Sequence, residues 1–337
     1  MSTVLRLLRR TASTAGRTLR RPVLAVALTL AAGGIIAAPP ASAASAAGPG
    51  GLPAPTSTLQ QITNFGPNPT NLQMYLYVPK HVRPHPAVVV ALHYCGGSGP
   101  AFFGGTEYAS LADQYGFIVV YPSVTRTGLV CFDVSTPGAL THNGNSDPVG
   151  IVSMVRYVER TMHADRNQVF ATGISSGAMM TNVLLGDYPD VFAAGSAMSG
   201  VAFGCFATTD GSLWNASCAN GDVSMTPEQW GNLARAADPG YRGPRPRMQL
   251  WHGTADTILF YPNFNGEVAQ WTNVLNAHLA VVNSPQPTWT HSVYVSRGRV
   301  QVDAYSVAGE DHNLGFHFPD WAQLAIKFFG ITRPLNH

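Results

Sequence analysis

Gly173-Ile174-Ser175-Ser176-Gly177 sets a serine between two glycines. The segment 168–172 ahead of it reads as a strand, and residues 177–185 read as a helix. A G-x-S-x-G at a strand-to-helix junction is a nucleophile elbow, a turn so tight that only small residues fit beside the serine. The setting carries the argument, because an idle serine in a glycine-rich turn would match the pentapeptide equally well. In the elbow, Ser175 holds a strained conformation with its hydroxyl above the sheet. It also lies at a helix N-terminus, where developing negative charge is favoured. Ser176 cannot take the elbow position, so its backbone N–H is its useful group.

A serine hydroxyl is a poor nucleophile until a base takes its proton. After an elbow of this kind the chain order is serine, then acid, then histidine. Asp256 follows the strand at 248–251 through His252-Gly253-Thr254-Ala255, which sets it at a strand's C-terminal end on the rim of the elbow. Asp303, Glu310 and Asp311 compete with it, but Asp303 falls inside a strand and Glu310-Asp311 crowd the histidine. That histidine is His312, in the loop between the strand at 300–307 and the last helix. His317, flanked by Phe316 and Phe318, reads as packing, and His252 as structural. Two backbone N–H groups must then meet the oxyanion. One is assigned to Ser176 and the other to Cys95 in Leu92-His93-Tyr94-Cys95-Gly96-Gly97, with Tyr94 second. The glycines let that backbone approach a substrate closely. No Lys-Ser/Thr follows them and the spacing is not GxGxxG, so they are not a phosphate-binding loop. Tyr94, Phe102, Phe103 and Trp251 fall near the expected rim, and Tyr94 and Trp251 are assigned to substrate binding.

These residues need a scaffold that carries them to one edge. Residues 72–78 alternate like an antiparallel strand, whereas 87–92 and 117–121 are continuous apolar runs, typical of strands buried on both faces. Further strands are expected at 168–172, 192–198, 248–251, 292–295 and 300–307, the last two joined by a turn at Arg297-Gly298. Helices are expected at 108–115, 177–185, 268–280, 320–329 and from Asp147 to about residue 162, with Asp147 as N-cap and Pro148 at the first helical position. Alternating strands and helices imply an α/β fold, a mostly parallel sheet with helices on both faces. Residues 202–247 form the longest irregular stretch, read as an insertion over one end of the sheet. It carries a short helix that starts at a Thr226-x-x-Gln229 capping box.

The chain has 337 residues, 11% of them charged and 45% hydrophobic, which suits one large α/β domain and excludes a disordered polyelectrolyte. Its net charge of +2 misleads, because six arginines and no acids lie in residues 1–43. Beyond them, 20 − 6 = 14 basic residues face 18 acidic ones, so a nucleic-acid surface is not expected. Residues 1–21 are basic, 23–38 are apolar and Ala41-Ser42-Ala43 is a small-residue cleavage site, the order of an export signal. The apolar stretch is shorter than the ~20 residues of a spanning helix. Residues 44–63 read as a flexible lead-in and 64–332 as the domain. Cys95, Cys131, Cys205 and Cys218 all lie beyond the cleavage site. An even count in an exported chain suggests two disulfides, and of the three pairings the sequence-local one is Cys95–Cys131 with Cys205–Cys218. No CxxC and no zinc-finger histidine spacing is present, so no metal is expected.

Several segments together resemble one known family: Ala91-Leu-His-Tyr-Cys-Gly-Gly-Ser98, residues 108–118, Cys131-Phe-Asp133, Asp147 with residues 150–154, residues 173–182, residues 188–194, and His252-Gly-Thr-Ala-Asp256. From about residue 64 to 331 the sequence is similar to the secreted acetylxylan and feruloyl esterases of carbohydrate esterase family one, relatives of extracellular polyhydroxybutyrate depolymerases. The resemblance implies an α/β-hydrolase fold, no cofactor, Ser175, Asp256 and His312 as the triad, and the Cys95–Cys131 pairing. It implies deacetylation of xylan, with feruloyl ester and then polyhydroxybutyrate hydrolysis as alternatives. The expected partner is an esterified polysaccharide. Neither nucleic acid nor, after signal cleavage, a membrane is expected, and the chain is expected to be a monomer.

Overall fold

The computed structural model describes residues 56–318 and 320–335. The export signal at 1–43 and residues 44–55 of the lead-in lie outside them. Ten strands form one sheet: β1 (Gln60–Ile62), β2 (Gln73–Tyr77), β3 (Val88–Leu92), β4 (Ile118–Ser123), β5 (Val169–Ile174), β6 (Ala194–Met198), β7 (Arg247–Gly253), β8 (His278–Asn283), β9 (Trp289–Ser296) and β10 (Arg299–Val307). Their spatial order is β1-β2-β4-β3-β5-β6-β7-β10-β9-β8. The strands from β4 to β10 in that order pair in parallel, and antiparallel strands extend the sheet at both ends.

The helices are α1 (Gly99–Gly105), α2 (Tyr108–Tyr115), α3 (Asp147–Met162), α4 (Ser176–Asp187), α5 (Ala216–Ala219), α6 (Pro227–Ala236), α7 (Pro262–Val274), α8 (Leu314–His317) and α9 (Trp321–Phe329). Strand periodicity divides the core in two. Val88, Val90 and Leu92 of β3 face a cluster with α3, α4, α6 and α7, while Val89 and Ala91 face one with α1, α2 and α9. Both faces are therefore covered, which is why the central strands read as unbroken apolar runs. The parallel strands all point the same way, so the loops after β3, β5, β7 and β10 meet at one edge. The β9–β10 turn sits at Arg297 and Gly298 as expected, with φ of 51° and 72°.

Three local expectations need correction. The lead-in is not wholly irregular, since Gln60–Ile62 pairs with β2 as an edge strand. Ser146, not Asp147, is the N-cap of α3. Asp147 is the first helical residue and fully buried, turned toward Arg126 and the Asp133 N–H. The helix expected at 268–280 begins at Pro262, ends at Val274, and gives way to β8. Proline at the first turn opens it without any side-chain cap. Asn276, with φ 48°, then breaks it, and β-branched Val281-Val282 favours pairing with β9. The Thr226–Gln229 capping box is present at α6.

Candidate active site

Ser175 joins β5 to α4 with φ 55° and ψ −117°, a conformation that costs a non-glycine residue strain. The packing around it explains the glycines. A Cβ on Gly177 would stand 2.6 Å from the Leu92 carbonyl carbon and 2.9 Å from the His93 oxygen, so the elbow lies directly on the end of β3. The Ser175 N–H is tied to the Met198 carbonyl on β6 at 2.9 Å.

His312, from the loop after β10, brings Nε2 to 2.9 Å from Ser175 Oγ and Nδ1 to 2.8 Å from Asp256 Oδ2. A carboxylate only accepts, so Nδ1–H donates to Asp256 and Nε2 is left to accept from the serine hydroxyl. Asp256 Oδ1 accepts from the Ile258 and Leu259 N–H groups, both at 2.9 Å. Burial by itself would raise the Asp256 carboxyl, but hydrogen bonds from His252 and His312 outweigh it and hold the group well below the usual carboxylate range. His252 is fully buried, as its structural reading requires. Its Nε2–H donates to the Leu259 carbonyl at 2.7 Å and lies 3.2 Å from Asp256 Oδ2.

The competing groups are engaged elsewhere. Asp303 pairs with His291 Nε2 at 2.5 Å and accepts from Gln249 at 3.0 Å. His317 is not packed between its phenylalanines. It is exposed and lies 2.8 Å from Glu310 Oε2. Asp311 accepts from the Asn313 N–H.

Cys95 lines the same pocket as Ser175 and is disulfide-bonded to Cys131; Cys205 is bonded to Cys218. Among the described residues the Cys95 N–H meets no acceptor, while the next two N–H groups are spent on the Val130 and Tyr94 carbonyls. Ser176 opens α4, where an N–H has no acceptor within the helix. Its hydroxyl, given no part by the sequence reading, accepts from the Phe132 N–H at 2.8 Å. Residues 131–133 are held on their other side as well. Arg126 bonds the Cys131 carbonyl and Asp147 Oδ1, and Asp147 Oδ2 accepts from the Asp133 N–H at 2.7 Å.

The pocket above Ser175 measures about 280 Å³. Tyr94 forms one wall, with its ring edge-on to Phe316 at 5.2 Å. Trp214 forms another, reaching in from the insertion and braced edge-on by Phe206 at 5.2 Å. Trp251 does not reach this pocket, which corrects its assignment to substrate. It is fully buried, stacked at 3.8 Å on Tyr305, its register partner on β10. Neighbours in register share a face, and this pair points into the core under α9. Phe102 is likewise buried, and Phe103 packs between Tyr77 and Tyr121. Trp214 was the aromatic to find, and its signal was a tryptophan in irregular chain between two paired cysteines. A larger cavity of about 490 Å³ beside α9 is lined by neither a serine nor a histidine. Among the described residues no cluster of three or more His, Cys, Asp or Glu side chains could hold a metal ion.

A strained serine, an imidazole and a carboxylate in hydrogen-bonded series, beside two unspent N–H groups, can carry out acyl transfer. The family model described as Esterase PHB depolymerase matches residues 72–213. The "Feruloyl esterase B" of Talaromyces stipitatus is 44% identical over 281 residues, covering 82% of this chain and 76% of that protein. The "Probable acetylxylan esterase A" of Aspergillus fumigatus is 48% identical over 283 residues, covering 82% and 74%. The chain belongs to the acetylxylan and feruloyl esterase family. This esterase superposes on the solved acetyl xylan esterase from Aspergillus awamori with a TM-score of 0.77 and 40% identity, over 82% of its own length and 100% of the other's. A formylglutathione hydrolase of Staphylococcus aureus, 16% identical with a TM-score of 0.51, shares the fold alone. The esterase is thus a carboxylic ester hydrolase on a mostly parallel, helix-covered sheet.

Proposed function

We propose that this esterase removes acetyl groups from xylan through an acyl-enzyme on Ser175. His312 Nε2 takes the hydroxyl proton as Ser175 Oγ attacks the ester carbonyl. Asp256 orients the imidazole and stabilises its charged form. The Cys95 and Ser176 N–H groups receive the oxyanion. The sugar oxygen leaves with the proton from His312, and the acetyl group stays on Ser175. Water, deprotonated by the same nitrogen, then attacks the acyl carbon, the bond to Ser175 Oγ breaks as His312 returns the proton to that oxygen, and acetate departs.

The observation that carries this reading is the hydrogen-bonded series beneath a small, aromatic-walled pocket. At about 280 Å³ the pocket falls just below the roughly 300–1,000 Å³ range of small-molecule sites. It must admit the sugar carbon as well as the acyl group. The Tyr94 and Trp214 rings would stack on a feruloyl ring as well, so the preference for acetyl rests on likeness to acetylxylan esterases, 48% identical in Aspergillus fumigatus and 40% in the solved Aspergillus awamori enzyme. The names of the relatives point to the same two acyl classes. Export fits the arginine-rich, then apolar, then Ala-x-Ala order of residues 1–43 and the two disulfides.

The test compares acetate release from acetylated xylan with ferulate release from methyl ferulate by the purified enzyme. Acetate should dominate, and release of ferulate alone overturns the assignment. Ser175→Ala and His312→Ala should each lower turnover by about three orders of magnitude or more. A Ser175→Ala protein with most of its activity would sink the acyl-enzyme.

A further inference from the structure

The peptide that joins Tyr94 to Cys95 carries the Cys95 N–H on one side and the Tyr94 carbonyl on the other. In a trans peptide these two groups point in opposite directions. Whatever holds the carbonyl therefore aims the N–H. Two groups hold it: His93 Nδ1 at 2.7 Å and the Gly97 N–H at 3.0 Å. The His93 ring is fully buried, and its other nitrogen is equally committed, since Nε2 accepts from the Val124 N–H at 3.1 Å. An amide N–H can only donate, so Nε2 is bare and Nδ1 carries the proton. Burial, helped by the nearby Arg126 charge, holds this imidazole down at about 4 against the opposing pull of the Tyr94 bond, so one donor and one acceptor persist. The ring also lies against Phe132, with centroids 4.6 Å apart. Phe132 is the residue whose N–H binds Ser176 Oγ.

We infer that His93 is a positioning residue for ester hydrolysis, one that clamps the Tyr94 carbonyl so that the Cys95 N–H faces the oxyanion. This rests on the proposed role of the Cys95 N–H. A bond accepted by a peptide carbonyl also polarises its N–H, so the clamp strengthens the donor as well as aiming it. A packing role alone would need only the shape of the ring. The clamp needs the Nδ1 proton.

Two substitutions separate the two ring nitrogens. In His93→Asn an amide nitrogen takes the place of Nδ1 and still donates to Tyr94, while the Val124 N–H loses its acceptor. In His93→Gln an amide oxygen takes the place of Nε2 and still accepts from Val124, while Tyr94 loses its donor. With a chromogenic acetate ester, His93→Gln should lose roughly 10- to 100-fold in kcat, less than or equal to the loss of a whole oxyanion donor, with KM within about threefold. His93→Asn should keep kcat within about fivefold of wild type. Affinity for phenylboronic acid, whose tetrahedral serine adduct presents an oxygen to the same donors, should fall in parallel with kcat. Equal loss in both variants, or lowered thermal stability with kcat untouched, overturns the inference. If neither variant folds, ¹⁵N spectra of the wild-type imidazole decide. His93 must be protonated on Nδ1 and bare on Nε2, and the opposite tautomer refutes the clamp. Ser175→Ala keeps the two claims apart. An inactive Ser175→Ala beside a fully active His93→Gln removes only the clamp, whereas an active Ser175→Ala removes the acyl-enzyme and the clamp together.

Discussion

Gly177→Ala places one methyl group between the elbow and the end of β3. The added Cβ would sit 2.6 Å from the Leu92 carbonyl carbon and 2.9 Å from the His93 oxygen, and closer still to the Leu92 oxygen. Carbon atoms in contact prefer about 3.5–4.0 Å, so the elbow and β3 must part by about 1 Å. Neither side can yield cheaply, because both are backbone: β3 is paired on both edges and Ser175 is tied to Met198. Overpacking of this kind costs about 1–3 kcal/mol of stability. The effect on rate is larger, since the parting separates Ser175 and Ser176 from the loop that carries Cys95. A misplacement of about 1 Å can cost roughly 100-fold. The assay is kcat on a chromogenic acetate ester together with the thermal midpoint. Gly96→Ala serves as the control, because its Cβ would meet nothing and only its φ of 75° is unfavourable. The expected order is a loss of about 100-fold in kcat for Gly177→Ala and under tenfold for Gly96→Ala. Wild-type turnover in Gly177→Ala would refute the claim that the elbow and the Cys95 loop are set by direct backbone contact.

Three further outcomes follow from the geometry. Trp214→Ala opens one wall of the pocket and should raise kcat/KM for butyrate and methyl ferulate relative to acetate by roughly tenfold, measured as a ratio on the same enzyme batch; an unchanged ratio would remove Trp214 from acyl selection. Ser176→Ala keeps the backbone N–H but loses the acceptor for the Phe132 N–H. It should lower stability by about 1–3 kcal/mol in urea titrations and reduce kcat more than KM. Glu267→Gln tests a buried acid on α7 whose Oε1 accepts from Asn182 at 2.6 Å and whose pKa burial pushes up to about 8. The folded state keeps this proton after the unfolded chain has released it near 4.5, so wild-type stability is full below that pH and declines as pH rises toward 8. The variant should therefore gain thermal stability over wild type at pH 9, by up to a few kcal/mol, and no advantage at pH 5. The same difference at both pH values would show that Glu267 is ionised in the fold.

Ser175 was legible because an elbow needs glycines at fixed offsets between a strand and a helix, a local demand written into five consecutive residues. Asp256 and His312 followed from chain order combined with the ends of β7 and β10, and the parallel sheet brings all three into hydrogen-bond reach. The buried strands were legible for a similar reason, since burial on both faces leaves an unbroken apolar run. The start of α7 was hidden because Pro262 opens it without a capping side chain, and β8 was hidden inside a pattern that also suits a helix. The two tryptophans mark the boundary most clearly. Which of them meets the substrate depends on the face each side chain takes. For Trp251 that was decided by its register against Tyr305, and for Trp214 by how the disulfide-held insertion folds back over the sheet edge. His252 was read as structural, but its partners, and any part for the His93 ring or the Ser176 hydroxyl, were out of reach of sequence reasoning. Their partners are backbone carbonyls, backbone N–H groups and a carboxylate, and only the packed chain brings these together. Residue types and short spacings thus determined the chemistry available to this esterase and the alternation of its central strands and helices. The tertiary structure decided which aromatic rings bound the pocket and which buried groups hold the reacting ones in place, because those contacts join segments far apart in the chain.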